Sequence, residues 1–336
     1  MSLRMFLAIA AAAATAVPAG LVTKGLNGIQ YEVSCLSKTL CVAAGYNSFS
    51  TGDVVAVRNG KPGHVSVVHK TSRVESVSCP NSSGCVALAD PSSGVGAEFV
   101  SIGKSGIVNG TKTAADGTDD ITDISCTKLT SCEVAGVNIV STPWKIVFGS
   151  WNGKKLSLRA ISSLKHTTLT SIQDVSCAGG KCDIVGYTDS SARITGLSLV
   201  VSGTKAGKLH TANGDSLYGV SCVSKSTCYA AGYTVSGGIA VTVKNGAIGS
   251  ASKTPSDLAG IACSGAKCTA VGLENAPEGS GELQWGTIVS VAGGKVTGAV
   301  PVKQAENLNS VARIGTFYAA VGAGQPGKQP SELVTS

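Results

Sequence analysis

The 336-residue chain is 14% charged and 43% hydrophobic, with 43 glycines, a composition that reads as globular and excludes a disordered chain. An aromatic content of 4% argues against a carbohydrate-active enzyme with a long aromatic groove. The formal net charge of +7 is too modest to name a partner by itself. In chain order, the N-terminus MSLRMFLAIAAAAATAVPAG comes first: one arginine, an apolar run from Met5 to Val17, then small residues with Ala14/Ala16 or Val17/Ala19 as cleavage signals. This predicts a secretory signal peptide over 1–19 and a single domain over 20–336. The run is too short for a comfortable membrane span, and no later stretch approaches 18 uncharged apolar residues. A secreted, extracellular protein with no integral membrane segment is therefore expected.

Six segments then repeat: YEVSCLSKTLCVAAGY, ESVSCPNSSGCVALAD, TDISCTKLTSCEVAGV, QDVSCAGGKCDIVGYT, YGVSCVSKSTCYAAGY and AGIACSGAKCTAVGLE. A seventh, NSVARIGTFYAAVGAG, puts Arg313 and Tyr318 where the others have cysteines. Units of 40 to 50 residues predict a β-propeller with four strands per blade. Each unit reads as a short strand ending V-S-C, a Ser/Gly/Lys turn, a second strand C-x-A/V-x-G, and a variable polar loop. A third, more apolar strand such as DVVAVRNG or KIVFGSWNG follows, and a fourth such as HVSVVHK closes the unit. The last unit stops after a third strand, SELVTS, and Gly20 to Lys24 (GLVTK) can supply its fourth. The expectation is an all-β, seven-bladed β-propeller of four-stranded antiparallel blades, with 3+1 ring closure by the N-terminal strand.

Two cysteines flanking one hairpin turn face each other at a separation that a disulfide spans. Six local bridges follow: Cys35–Cys41, Cys79–Cys85, Cys126–Cys132, Cys177–Cys182, Cys222–Cys228 and Cys263–Cys268. Each small ring contributes about 2 kcal/mol by loop entropy. An oxidising compartment fits this usage. Structural zinc wants C-x2-C pairs brought together, and these pairs are C-x4-C or C-x5-C in different blades, so no metal and no cofactor is expected. The pattern V-S-C-x(4–5)-C-x-A-V-G followed by a strand and W-N-G resembles a repeat of secreted bacterial proteins predicted to be β-propellers. Trp151-Asn152-Gly153 is its best copy, with Arg58-Asn59-Gly60 and Lys244-Asn245-Gly246 as weaker ones. That family has no established activity, so the resemblance implies no catalytic residues.

No residue reads as catalytic. His64, His69, His166 and His210 map to fourth strands or their ends, at the periphery. The acidic run ADGTDDITD (Asp116, Asp119, Asp120, Asp123) fits no EF-hand spacing and reads as a solvated polar loop. Sorting charges by face is more informative. Turns between strands one and two, and three and four, share one face, which holds Lys38, Lys128, Lys181, Lys225 and Lys267 around one end of the central channel. The opposite face holds most of the acids together with Tyr46, Trp144, Tyr187, Tyr233 and Trp285; Tyr46, Tyr187 and Tyr233 end second strands, and the two tryptophans fall in loops. Tyr31 and Tyr218 precede V-S-C strands. The leading reading is a secreted, monomeric, non-enzymatic propeller that binds an extracellular ligand or anionic surface: a glycan, a cell-wall polymer or a protein. Nucleic acid is disfavoured because few aromatics interleave with the lysines. Two alternatives stand beside it: a polysaccharide hydrolase or lyase with carboxylates at the acidic mouth, and a structural module of an envelope assembly.

Overall fold

The computed structural model describes residues 21–26, 28–47, 51–92, 96–114, 119–142, 144–162, 169–190, 193–325 and 331–336. The segment 1–19 expected to be a signal peptide, Gly20, Asp116 and His166 lie outside the described residues. Seven antiparallel sheets form, and in six of them the strands pair in chain order from the axis outward. Blade 1, for example, runs Ile29–Ser37, Leu40–Tyr46, Gly52–Arg58 and Lys61–Val67. In blade 5 the fourth strand is broken into Ala247–Ile248 and Ser252–Thr254. The seventh sheet is made by both ends of the chain: Ser310–Ile314, Phe317–Ala323 and Ser331–Thr335 are completed by Leu21–Leu26, in the register Leu21↔Thr335, Val22↔Val334 and Thr23↔Leu333. The expected 3+1 closure is present, and Leu21–Leu26 covers the strand edge that Ser331–Thr335 would otherwise expose. Among the described residues no helix is long and apolar enough to cross a membrane.

The core is divided between blades. One cluster of buried side chains fills each of the seven interfaces, from Val42, Val54, Val74 and Val100 between blades 1 and 2 to Val33, Val55, Ala319 and Leu333 between blades 7 and 1. Second and third strands lie between two neighbouring blades and are buried on both faces, which is why they read as continuous apolar runs. Leu40–Gly45 is buried at every position, whereas the outermost strand Lys61–Val67 is mostly exposed.

The repeated residues each have a physical reason. All six expected disulfides are present, with Cα–Cα distances of 3.8–4.1 Å. In blade 7 Arg313 sits opposite Tyr318 in their place. The serine of V-S-C joins consecutive blades: Ser34, Ser78, Ser125, Ser176 and Ser221 each accept the N–H of the next blade's first cysteine, at 2.9–3.1 Å. The glycine of the second strand lies against the inner strand. A Cβ on Gly45 or Gly232 would fall 2.0 or 1.8 Å from the carbonyl oxygen of Ile29 or Ser216.

Register corrects one sequence match. Trp151 lies opposite Cys132, the position that Val57 holds opposite Cys41 and Val243 opposite Cys228. Arg58 and Lys244 come one residue later and are exposed. Arg58-Asn59-Gly60 and Lys244-Asn245-Gly246 are therefore two-residue hairpin turns, with positive φ at both Asn and Gly, as a type I′ turn requires. Trp151 instead stacks on Phe99 of the preceding blade, with ring centroids 4.0 Å apart.

Candidate functional site

The inner strands enclose a channel of about 880 Å³ along the ring axis. Six of them carry a bulge at the same place, between Gln30 and Glu32, Val74 and Ser76, Ile121 and Asp123, Ile172 and Asp174, Leu217 and Gly219, and Leu258 and Gly260. A bulge sets two residues against one on the partner strand and re-aims a side chain. The extra residues Tyr31, Glu75, Thr122, Gln173, Tyr218 and Ala259 all line the channel.

Immediately below, the residue that precedes V-S-C ties blades 1, 3 and 4 each to the next. Glu32 accepts the N–H of Val77 at 2.8 Å, Asp123 that of Val175, and Asp174 that of Val220 at 2.6 Å. Ser76 donates its hydroxyl to Asp123. Burial raises all three carboxyl groups, and Asp174 and Glu32 are held well above the usual carboxylate range because the charge of Asp123 adds to the desolvation. Asp174 and Asp123 are hydrogen-bonded to each other, which requires a proton between them, and Asp123 is the carboxyl better supplied with other donors. In blades 5 and 6 glycines take this position. A Cβ on Gly219 would lie 2.9 Å from Gly260, so the wall on that side is backbone packed on backbone.

The mouth at the start of the inner strands gathers the tyrosines. Tyr31 and Tyr46 pack with ring centroids 5.7 Å apart. Tyr187, Tyr218 and Tyr233 stack in sequence at 5.6 and 4.9 Å, with the hydroxyls of Tyr218 and Tyr233 hydrogen-bonded at 2.9 Å. Burial raises the Tyr31 and Tyr218 phenols, so both stay neutral and able to donate. Beside Tyr31, Arg73 pairs with Glu75 and, at 2.9 Å, with Asp90. Glu75 is pushed up to about 7 by burial and then by the charge of Asp90, against the opposing pull of Arg73. Asp120 is raised by the same two causes.

Of the residues expected at this mouth, Tyr46, Tyr187 and Tyr233 are there, behind the channel-lining Tyr31 and Tyr218. Trp144 and Trp285 are not brought to the channel. Trp144 packs on the core between blades 3 and 4. Trp285 is the second residue of the strand Gln284–Ala292 rather than a loop residue; it is buried, and the Lys303 ammonium lies 4.9 Å from its ring centre. The acidic run is also corrected: Asp119, Asp120 and Asp123 belong to the inner strand Asp119–Lys128, and Asp123 is only 4% exposed. The histidines with described positions lie on or beside outer strands.

On the opposite face Lys38, Lys128, Lys181, Lys225 and Lys267 are all exposed at the cysteine-flanked turns. None of them lines the channel; Arg313 is the cation that does so at that end. Two of them lie against a neighbouring turn: a Cβ on Gly315 of blade 7 would meet the end of the Lys38 side chain of blade 1, and one on Gly179 of blade 4 would meet the Cβ of Lys225 of blade 5. Among the described residues no group of three or more His, Cys, Asp or Glu is placed to hold a metal ion.

Sequence reading missed Glu32, Glu75 and Asp174. For Glu32 and Asp174, as for Asp123, the available signal was positional, an acid directly before V-S-C or I-S-C; Glu75 stands one residue earlier, on the bulge, and had no such signal. No protein-family model matches the chain, and no curated protein matches it. Solved structures resemble it in shape. The WD40 repeats of RRP9 align at a TM-score of 0.61 and 10% identity, over 94% of this chain and 96% of that one. The β-propeller domain of the Trilobed protease from Pyrococcus furiosus, described as having an open velcro topology, aligns at 0.59 and 8% over 93% and 94%. YCF48 bound to D1 peptide aligns at 0.54 and 10% over 94% of each chain. At these identities the likeness is one of fold, and the fold is the seven-bladed β-propeller.

Proposed function

We propose that the chain is a secreted, non-enzymatic propeller that binds an extracellular ligand through the tyrosine-lined mouth of its channel. One observation carries this reading: five tyrosines from blades 1, 4 and 5 gather at one end of an open channel. Partly exposed aromatic faces beside hydrogen-bonding carboxylates suit a sugar or a peptide. Secretion is supported by six cysteine pairs and by the signal-like segment 1–19; the V-S-C repeat resembles that of secreted bacterial propellers. YCF48, a propeller of like shape, has been solved with a peptide bound, which supports a protein among the candidate ligands. The inner carboxylates favour binding over catalysis, because Glu32, Asp123 and Asp174 are each engaged by the next blade's backbone. Screening the intact protein against arrayed glycans and peptides tests the proposal. Binding should be lost in Tyr218→Ala and kept in Trp285→Phe; a ligand indifferent to Tyr218 overturns it.

One further observation favours a second reading. Glu75, raised to about 7 beside Asp90 and Asp120, has the character of a general acid, as a hydrolase of polysaccharide would need. Turnover of an acidic polysaccharide that is abolished in Glu75→Gln would establish it. The exposed lysines of the opposite face support contact with an anionic polymer. Replacing Lys38, Lys128, Lys181, Lys225 and Lys267 by serine together should sharply reduce salt-sensitive retention on heparin, with folding intact.

A further inference from the structure

The connections between second and third strands open on the tyrosine face, and in four successive blades an aliphatic side chain is displayed to solvent in the connection or, in blade 4, at the second residue of the third strand Arg193–Ser202. Val140 of blade 3 is 67% exposed, Ile194 of blade 4 39%, Val235 of blade 5 103% and Leu283 of blade 6 88%. Val235 stands at the tip of a two-residue connection between Thr234 and Gly237, where Gly, Asn or Ser is the ordinary choice. A single exposed apolar residue is unremarkable, but four in consecutive blades on one face outline an arc that contributes nothing to the fold. On the opposite face Ile107, in one turn between third and fourth strands, is exposed as far as Ile194, while four of the cysteine-flanked tips hold Lys38-Thr39, Ser82-Ser83, Gly179-Gly180 and Lys225-Ser226.

Acids occur both at the centre of this face and further out, where Glu278 and Glu282 share the loop of Leu283. The carboxylates Glu75, Asp120 and Asp257 belong to innermost strands, and Asp90 ends a second strand. Arg73 is already paired with Glu75 and Asp90. The lysines of the same face, Lys145, Lys253 and Lys303, belong to third and fourth strands or follow them, further from the axis. The centre is thus acidic and aromatic, with aliphatic side chains outside it. An anionic membrane or polymer is repelled by that centre, and a neutral sugar makes no use of the aliphatic arc.

We propose that the occupant of this face is a protein segment carrying basic and aliphatic side chains. Its Lys or Arg enters the mouth against the tyrosine faces and carboxylates, and its Leu, Ile or Val residues pack on the arc of blades 3 to 6. The proposal rests on the mouth being the binding site. Cation–π contact with tyrosine and charge pairing with the inner carboxylates supply the specificity, and the arc supplies apolar contact beyond the channel.

The test is a random dodecapeptide phage library panned on the intact protein, with the selected peptides measured by fluorescence anisotropy. Enrichment of Lys or Arg next to aliphatic residues is expected, with binding that weakens as salt rises. The surface pair Val235→Ser and Leu283→Ser should weaken it roughly tenfold, as should Asp120→Asn, with melting temperatures unchanged. No enrichment, enrichment of acidic or neutral sequences, or peptides indifferent to Val235 and Leu283 overturns the proposal. If glycans bind in a Tyr218-dependent way while no peptide is enriched, this inference fails and the mouth reading survives. If nothing binds in a Tyr218-dependent way, both fail.

Discussion

Several carboxyl groups in this protein are buried without enough donors to hold their charge. Asp53, fully buried at the seam between blades 7 and 1, has one oxygen bonded to the Gln30 amide at 3.2 Å and the other without a partner; the Gln30 amide oxygen also has none. Burial pushes Asp53 from 3.8 up to about 6, and Asp183 likewise. A carboxyl whose pKa is higher folded than unfolded favours the folded state below the unfolded value, and loses that contribution as pH rises through the folded one. For Asp53 this places a penalty of up to about 3 kcal/mol across the window from about pH 4 to pH 6. Urea unfolding should therefore show greater stability at pH 5 than at pH 8. Asp53→Asn should flatten part of that dependence and be more stable than the parent at pH 8; a parent that gains stability on going from pH 5 to pH 8 refutes the assignment. The inner carboxyls give a complementary contrast. Asp174→Ala strands the N–H of Val220 and should cost about 1–3 kcal/mol. Asp174→Asn retains an acceptor for that N–H and a donor for Asp123, and should be close to neutral in the same melts.

At the scale of the strand, the second-strand glycine and the inner-strand bulge form one device. The bulge brings the inner backbone close to its partner, and only a residue without a side chain tolerates the approach at Gly45, Gly136, Gly186, Gly232 and Gly272; Gly322 of blade 7, which has no bulge, is crowded instead by the backbone of Asn307 and Leu308. Blade 2 has Ala89 at this place, and its inner strand carries an additional irregularity between Thr71 and Arg73. Gly232→Ala should therefore be destabilising by about 1–3 kcal/mol, as overpacking of a filled site is, whereas Ala89→Gly should cost only about 1 kcal/mol. Equal, small effects in thermal melts would show that the close approach relaxes freely. This device also marks where sequence reading stopped. The cysteine hairpins, the apolar third strands and the strand exchange at the chain ends were legible because each is a local pattern or a count of units. The lining of the channel was not, because strand alternation assumes a period of two, and a bulge breaks that period just where the side chains turn toward the axis. Asp123 thus read as part of a polar loop, and Glu32, Glu75 and Asp174 did not stand out. Trp285 was misplaced for a simpler reason: its strand begins one residue earlier, at Gln284.

For the whole ring, stability depends on one short strand. Leu21–Leu26 is far in sequence from its partner Ser331–Thr335, and Leu26, 2% exposed, belongs to the cluster that fills the interface of blades 7 and 1 with Val33, Val55 and Leu333. Without this strand, Ser331–Thr335 presents an open edge, and an open edge invites pairing with another chain. Two shortened chains and one added peptide separate the possibilities. Removing residues 1–19 should leave the melting temperature unchanged, as expected for a segment proposed to be cleaved. Removing residues 1–26 should lower it by several degrees, since about 1 kcal/mol shifts a midpoint by a few degrees in a chain of this size, and should promote dimers through the exposed edge. The six disulfides should still form in that variant, because each lies within a single inner hairpin of blades 1 to 6 and none depends on closure. Adding a synthetic peptide of residues 20–30 should then restore both the monomer and most of the lost midpoint, since the missing strand contributes ladder hydrogen bonds and Leu26 rather than a covalent link. A shortened chain that melts like the parent, or one that the peptide does not rescue, would show that the ring is held by its interface clusters alone and that the seal at the chain ends is dispensable.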